Sequence, residues 1–485
     1  MVVMRPGSTA RQGLLRKKPV EAFVTETRPD AEGGELSRSI GLFQLTMFGV
    51  GATIGTGIFI VLTEAVPEAG PGVIVSFVLA GITAALTAVC YAELASTIPV
   101  SGSSYSYTYA TMGEIVAFGV AACLLLEYGV SSAAVSVGWA QYLDELFSSL
   151  FGFRMPGTIL AAPGEGGIFN LPAIVLVTLC SLLLIRGTRE SATANSIMVI
   201  IKVAVLILFV IIAFTAFSGD NFAPFAPFGA AGIGVAASSI FFTFIGLDAV
   251  STAGEEVHNP RRNLPLAIIF ATIIVTTVYV LVAVAGIGAQ PYREFEDQEA
   301  GLAVILRNIT GSAWPAAVLS AGAVVSIFSV TLVTLYGQTR ILFAMGRDGM
   351  LPEVFHRISP TTLVPVRNTI IVGIFVGLLA GFVPLGVLID LTSMGTLVAF
   401  TVVSIGVIIL RRTQPDLPRG FRVPGYPITP ILSAAFALYI ISQLPYSTFA
   451  LFAVWLGVAA IIYFTYSAKH SRLARGESVA TEEPR

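Results

Sequence analysis

Long apolar runs alternate along the chain with short polar connectors, and the runs set its architecture. A helix needs roughly 20 residues to cross a hydrocarbon layer about 30 Å thick. Twelve runs approach that length: 42–63, 72–98, 113–138, 170–186, 195–217, 231–253, 264–288, 313–345, 366–384, 388–410, 428–444 and 447–468. Pro99, Pro163, Pro224, Pro227, Pro260, Pro291 and Pro352 fall in the connectors, where a fixed φ and a missing amide hydrogen interrupt no helix. The pattern predicts an all-α integral membrane protein with twelve transmembrane helices.

Two of the runs are weakened at their centres. Gly51-Ala-Thr-Ile-Gly-Thr-Gly-Ile-Phe59 lies inside the first, and each glycine there costs a helix about 1 kcal/mol relative to alanine. Phe241-Phe-Thr-Phe-Ile-Gly-Leu-Asp-Ala249 interrupts the sixth, five spans later. Corresponding breaks in two halves of a chain point to inverted repeats with a binding site between them. The expected organisation is a first five-helix repeat at 42–217, a second at 231–412 and two further helices at 428–468. Backbone at membrane depth must be hydrogen-bonded or border a cavity. Unwinding at Gly55-Thr56-Gly57 frees amides at the start of the following half-helix, where the positive dipole end suits a carboxylate. Carbonyls freed on the other side of a break suit an ammonium group. The other reading of these glycines is close helix packing by small residues, and the second break weighs against it.

Composition agrees with the pattern. Of 485 residues, 55% are hydrophobic and 12% charged, with a mean hydropathy of +0.85, whereas soluble domains carry about 25% charged residues. In the twelve-span reading, 23 of the 27 lysines and arginines fall on one face. The other face has Arg154, Arg293 and Arg307, and Lys202 lies within a span. This bias predicts a multi-pass protein of the cell (plasma) membrane with both tails, 1–41 and 469–485, in the cytoplasm. The polar, basic start has no early apolar core of the signal-peptide kind. Cys90, Cys123 and Cys180 all lie in apolar runs and read as packed thiols. The chain has no HExxH, P-loop or GxSxG motif and no metal-ligand cluster within the spans. An enzyme, a cofactor and a nucleic-acid partner are therefore not expected. A channel would call for a continuous polar lining or charged rings, which isolated polar groups at two breaks do not supply.

Four segments in this order, GATIGTGIF (51–59), CYAELASTIPVSGSSYSY (90–107), FFTFIGLDAVSTAGEEVHNPRRNLP (241–265) and QTRILFAMGRDGMLP (338–352), resemble the amino acid–polyamine–organocation (APC) transporter superfamily. The likeness is greatest to the cationic amino acid transporter branch and its bacterial relatives, and runs from about residue 36 to 468. It implies a LeuT-like core of 5+5 inverted repeats plus two C-terminal helices, and a secondary carrier that brings an L-amino acid into the cytoplasm by alternating access. It implies that Thr53, Ile54, Gly55, Thr56 and Gly57 hold the substrate carboxylate. The amine falls to carbonyls around Phe241, Thr243 and Phe244, with Ile245 and Gly246 completing the break and the Phe244 ring fitting as an occluding lid. The expected partners are a small-molecule L-amino acid and the lipid bilayer; an accessory subunit is not specified by the sequence.

Ionisable groups within the spans complete the reading. A charged lysine at mid-bilayer costs roughly 2.5–3.5 kcal/mol on insertion scales, so Lys202 either snorkels to the surface or is buried for a purpose. In proton-coupled relatives a lysine in this span stands where sodium-coupled relatives hold an ion. The resemblance thus makes Lys202 the proton-coupling residue, with the proton as coupling ion, and favours proton symport over an amino acid/polyamine exchanger. Glu93 ends the second span and serves as gate or anchor, with a loop arginine as partner. Glu127 faces the bundle interior, lining the substrate cavity or transferring a proton. Asp248 pairs with free amides or another helix. Ser326, Ser329 and Thr331 offer small polar groups on the eighth span. The charged stretches 255–262 and 346–350 form inner-gate ion pairs or remain solvated. His258, His356 and His470 lie in loops or tails.

Overall fold

The apolar runs fold into helices whose outward faces stay apolar, the inverse of a soluble protein. Ile200, Ile207 and Ile211 are exposed at helical spacing on one helix, as are Ile370, Ile374 and Leu378 on a second and Val454, Val458 and Ile461 on a third. Hydroxyls turn inward instead: Ser433 Oγ lies 2.9 Å from Thr87 Oγ1 and 2.8 Å from Ser404 Oγ, all buried. Such small polar groups hold helices together where hydrophobic exclusion cannot. The structure is a computed structural model that describes residues 15–19, 40–98, 103–186, 192–252, 257–296, 298–359, 362 and 364–475. The rest of both tails, and Glu255 and Glu256 of the charged stretch, lie outside the described residues.

The helices, in chain order, are α1 (Leu42–Thr53), α2 (Gly57–Ala69), α3 (Val73–Thr97), α4 (Ser103–Thr111), α5 (Glu114–Leu125) and α6 (Ser131–Phe151). After them come α7 (Leu171–Ile185), α8 (Ala192–Thr215), α9 (Gly229–Phe241), α10 (Ala249–Thr252), α11 (Pro260–Ala289) and α12 (Gly301–Thr310). The last are α13 (Ala313–Arg347), α14 (Val366–Phe382), α15 (Leu385–Thr413), α16 (Ile428–Ser442) and α17 (Tyr446–Ile462). Among the described residues the only β-type pairings are two isolated bridges, and eight helical stretches are long and apolar enough to cross a membrane.

Three local departures from the sequence reading have physical causes. The third run does not end at 138: a π-helical turn at Leu126–Val130 joins α5 to α6, which continues to Phe151. Its last turns carry Asp144 and Glu145, paired with Arg154 and, for Glu145, also Arg307. The polar sequence there masks a helical end whose buried carboxylates are ion-paired. α4, SSYSYTYAT, is too polar to score as a span, yet it is buried along its whole length. α12 has only 10 residues, with one buried apolar face.

At one end of the bundle both tails meet the same two acidic residues. Asp348, after α13, faces Lys18 Nζ at 3.5 Å and accepts the Tyr105 hydroxyl at 2.7 Å, and its carbonyl accepts the Arg472 amide at 3.1 Å. The Glu114 carboxylate accepts the hydroxyls of Tyr109, Tyr463 and Ser471 at 3.2, 3.2 and 2.7 Å. Its amide donates to the Arg16 carbonyl at 2.8 Å. Gly113, at φ +101°, makes room for this strand of tail: a Cβ there would sit 2.7 Å from the Leu15 backbone. The partner of Asp348 is thus a tail lysine rather than a neighbouring loop charge.

Candidate functional site

The two weakened runs are both broken. α1 ends at Thr53, and Ile54–Thr56 leave the helical path before α2 begins at Gly57. The Gly57 and Ile58 amides at the start of α2 precede any carbonyl of their own helix, whereas Phe59 and Ile60 donate to the Thr56 carbonyl at 2.9 and 3.2 Å. The sixth run ends as α9 at Phe241, tightens into a 3-10 turn over Phe242–Phe244, and extends at Ile245 with ψ 144°. It turns at Gly246 with φ +89° and resumes as α10.

The breaks meet backbone to backbone. A Cβ on Gly57 would come within 2.8 Å of Thr243 Cα, and one on Gly246 within 2.6 Å of the Ala52 carbonyl oxygen. Gly55 lies against Val330 of α13, whose Cγ1 would be 3.0 Å from an added Cβ. Here glycine serves close approach between unwound segments. Tyr279 of α11 straps them: its buried hydroxyl lies 2.8 Å from the Thr53 carbonyl and 2.9 Å from the Thr243 carbonyl, sharing its proton between the two breaks. The Phe244 ring packs edge-on against the Tyr279 ring at 5.4 Å, and Phe241 likewise against Phe400 of α15 at 5.7 Å.

Hydrogen-bonding capacity is left over around the breaks. Thr56 Oγ1, Thr243 Oγ1 and, one turn before Val330, Ser326 Oγ are buried without a hydrogen-bond partner among the described residues. Orphaned hydroxyls are costly in a packed interior and mark a place where a polar guest is accommodated. Thr53 Oγ1, by contrast, is spent on the Gly49 carbonyl at 2.8 Å. Ser329 is buried on α13 beside Val330 in sequence.

The other predicted residues divide between the centre and the end of the bundle. Lys202 does not snorkel: it is 1% exposed, and its Nζ donates to the Gly51 carbonyl at 3.1 Å, in the last turn of α1. A cation at the negative end of a helix dipole is favourably placed. Glu127 lies in the π-helical turn and Asp248 just past the Gly246 kink, both buried. Glu93 lies at the end of the bundle and has a basic partner there, as the sequence leads one to expect. It accepts Arg411 Nε at 2.7 Å and the Val423 amide at 2.7 Å, with Arg419 Nε at 3.3 Å, tying α3 to the end of α15 and the loop beyond.

Tyr279 and Val330 were not among the predicted site residues. Tyr279 carries a usable signal, since a phenol inside an apolar run needs a partner for its hydroxyl. Tyr279→Phe keeps the ring and leaves the Thr53 and Thr243 carbonyls without this donor, at a cost of about 1–3 kcal/mol. The expected result is a lower apparent unfolding midpoint of the purified protein, together with slower transport. An unchanged midpoint would mean that another donor replaces the phenol.

The profile of the amino acid permease family matches residues 40–467. The methylthioribose transporter of Bacillus subtilis (strain 168) is 42% identical over 463 residues, covering 95% of this chain and 99% of the relative. The branched-chain amino acid permease BcaP of the same organism is 42% identical over 464 residues with the same coverage. The vacuolar cationic amino acid transporter 4 of Arabidopsis thaliana is 36% identical over 412 residues, covering 83% of this chain and 68% of the relative. With its two broken helices meeting inside an all-helical membrane bundle, this chain belongs to the amino acid permease family of the APC superfamily.

Proposed function

We propose that the protein is a secondary carrier that takes an L-amino acid into the cytoplasm by proton symport. The observation that carries this reading is the pair of facing breaks. Amides at the start of α2 suit a carboxylate, carbonyls of Phe241 at the end of α9 and of Thr243 and Phe244 in the 3-10 turn suit an ammonium group, and Tyr279 holds the two in register. Thr53, Ile54, Gly55, Thr56 and Gly57 form the carboxylate side, with Ile245 and Gly246 completing the amine side. Val330 against Gly55, the Phe244 ring, and Phe400 against Phe241 supply an apolar surface beside the breaks, which favours a neutral apolar substrate side chain over a cationic one. Lys202 is the proton-coupling residue in this reading.

The architecture proposed with it has twelve crossings, arranged as five-helix repeats over 42–217 and 231–412 with α16 and α17 added. The meeting of Lys18 and Arg472 on Asp348 supports an even number of crossings, and the clustering of 23 of 27 basic residues supports a cytoplasmic location for both tails in the plasma membrane.

The two Bacillus relatives of equal identity carry different solutes by name, one a branched-chain amino acid and one a thio-sugar. A proteoliposome panel of labelled leucine, alanine, arginine and methylthioribose, with and without an inward proton gradient, separates the readings. The expected result is gradient-stimulated accumulation of a neutral amino acid. Arginine uptake alone would overturn the apolar-pocket argument, methylthioribose uptake alone the zwitterion site, and gradient-independent exchange the symport assignment.

A further inference from the structure

Glu127 and Asp248 were read from the sequence as separate groups, but the fold brings their carboxyl groups together, 0% and 1% exposed. Asp248 Oδ2 accepts Ser103 Oγ of α4 at 2.9 Å and the Tyr128 hydroxyl at 3.2 Å. Asp248 Oδ1 and both Glu127 oxygens have no donor among the described residues. The ionisable groups facing the pair are Tyr91 of α3, Tyr107 of α4, Cys123 of α5 and Tyr128 of the π-helical turn. None of them is a cation. From the other elements packed here come uncharged groups: Ser251 of α10, bonded to the Asp248 carbonyl, Gln338 of α13 against Gly129, and Gly395 of α15 against Leu126.

Hydrogen-bond accounting then fixes what is missing. Two adjacent carboxylates without a countercharge repel strongly in a water-poor interior. A single added proton reverses this, because one carboxyl then becomes a donor toward the other while Asp248 keeps its two hydroxyl donors on Oδ2. We propose that Glu127 and Asp248 form a one-proton site, separate from Lys202, whose occupancy holds α4 and the sixth-run break against the π-helical turn. Loss of that proton leaves two facing anions and pushes α10 and α4 away from the π-helical turn. That movement opens the end of the bundle that carries the tails. The role in the transport cycle rests on the carrier reading above; the proton itself does not.

The test is infrared difference spectroscopy of the purified full-length protein in H2O and D2O at neutral pH. The wild type is expected to show a buried protonated-carboxyl C=O band. Glu127→Gln loses the band because the titrating group is gone. Asp248→Asn loses it because an amide donor replaces the proton. Lys202→Ala retains it. Two variants that remove the same band from opposite sides keep the test informative should one of them fail to fold. Absence of the band from wild type, or its persistence in a folded Glu127→Gln protein, overturns the proposal. In proteoliposomes with an internal pH dye, substrate-dependent acidification is expected to be lost in Glu127→Gln, and acidification equal to wild type refutes the site's part in coupling. If wild type takes up no amino acid while the band behaves as described, the carrier reading fails and the proton site stands.

Discussion

Lys202→Ala is expected to abolish proton-driven uptake while leaving a folded protein. The Lys202 ammonium reaches the Gly51 carbonyl at 3.1 Å, two residues before α1 ends at Thr53. It therefore caps the negative end of the half-helix that leads into the first break. A hydrogen bond from a charged group contributes about 1.5–3 kcal/mol, a roughly tenfold to hundredfold bias on whether α1 is held in this position. In the proposed symport mechanism an ammonium here holds α1 more firmly than a neutral amine would, which is how a proton on Lys202 would act on the break. Alanine removes both states. The measurement is initial uptake into proteoliposomes under an inward proton gradient, beside size-exclusion elution as a check on folding. Wild-type rates of acid-driven uptake in the variant would refute the assignment.

A second large effect is expected from one methyl group. In Gly246→Ala the new Cβ would lie 2.6 Å from the Ala52 carbonyl oxygen and 2.9 Å from its carbon, backbone atoms that cannot swing aside. The position also has φ +89°, where a residue with a Cβ pays about 1–3 kcal/mol in strain. Both effects act where the sixth-run break rests on the end of α1, so the two half-sites must separate or twist. Uptake is expected to fall below detection. Gly457→Ala is the matched control, since nothing lies within 4 Å of its added Cβ, and it should transport as wild type does. Normal uptake by Gly246→Ala would show that the breaks are apart in the transporting protein.

Much of this arrangement was readable from local sequence, for a physical reason. Helices that must satisfy their backbone internally show their interruptions as runs of glycine and polar residues, so 51–59 and 241–249 announced both breaks. The depth of Lys202 in its run likewise argued for a special environment. What escaped was long-range. The bond from Tyr279 to Thr53 spans 226 residues, and that from Tyr128 to Asp248 spans 120. Nothing local pairs such groups, and so Glu127 and Asp248 were read singly. α4 escaped because its serines, threonines and tyrosines read as loop, although the fold buries them. The full length of α6 escaped because its ion-paired end is too polar for a span.

The junction at Asp348 and Glu114 has a practical consequence for anyone producing the protein. Trimming the amino terminus to a start after Pro19 removes the Lys18 contact and the backbone bond to Arg16, and leaves the groove beside Gly113 bare. A clone that begins ahead of Leu15, or an affinity handle fused beyond Arg475, keeps the residues that make these contacts. Shortened versions that behave poorly in detergent should be compared at this boundary before any change is made inside the bilayer.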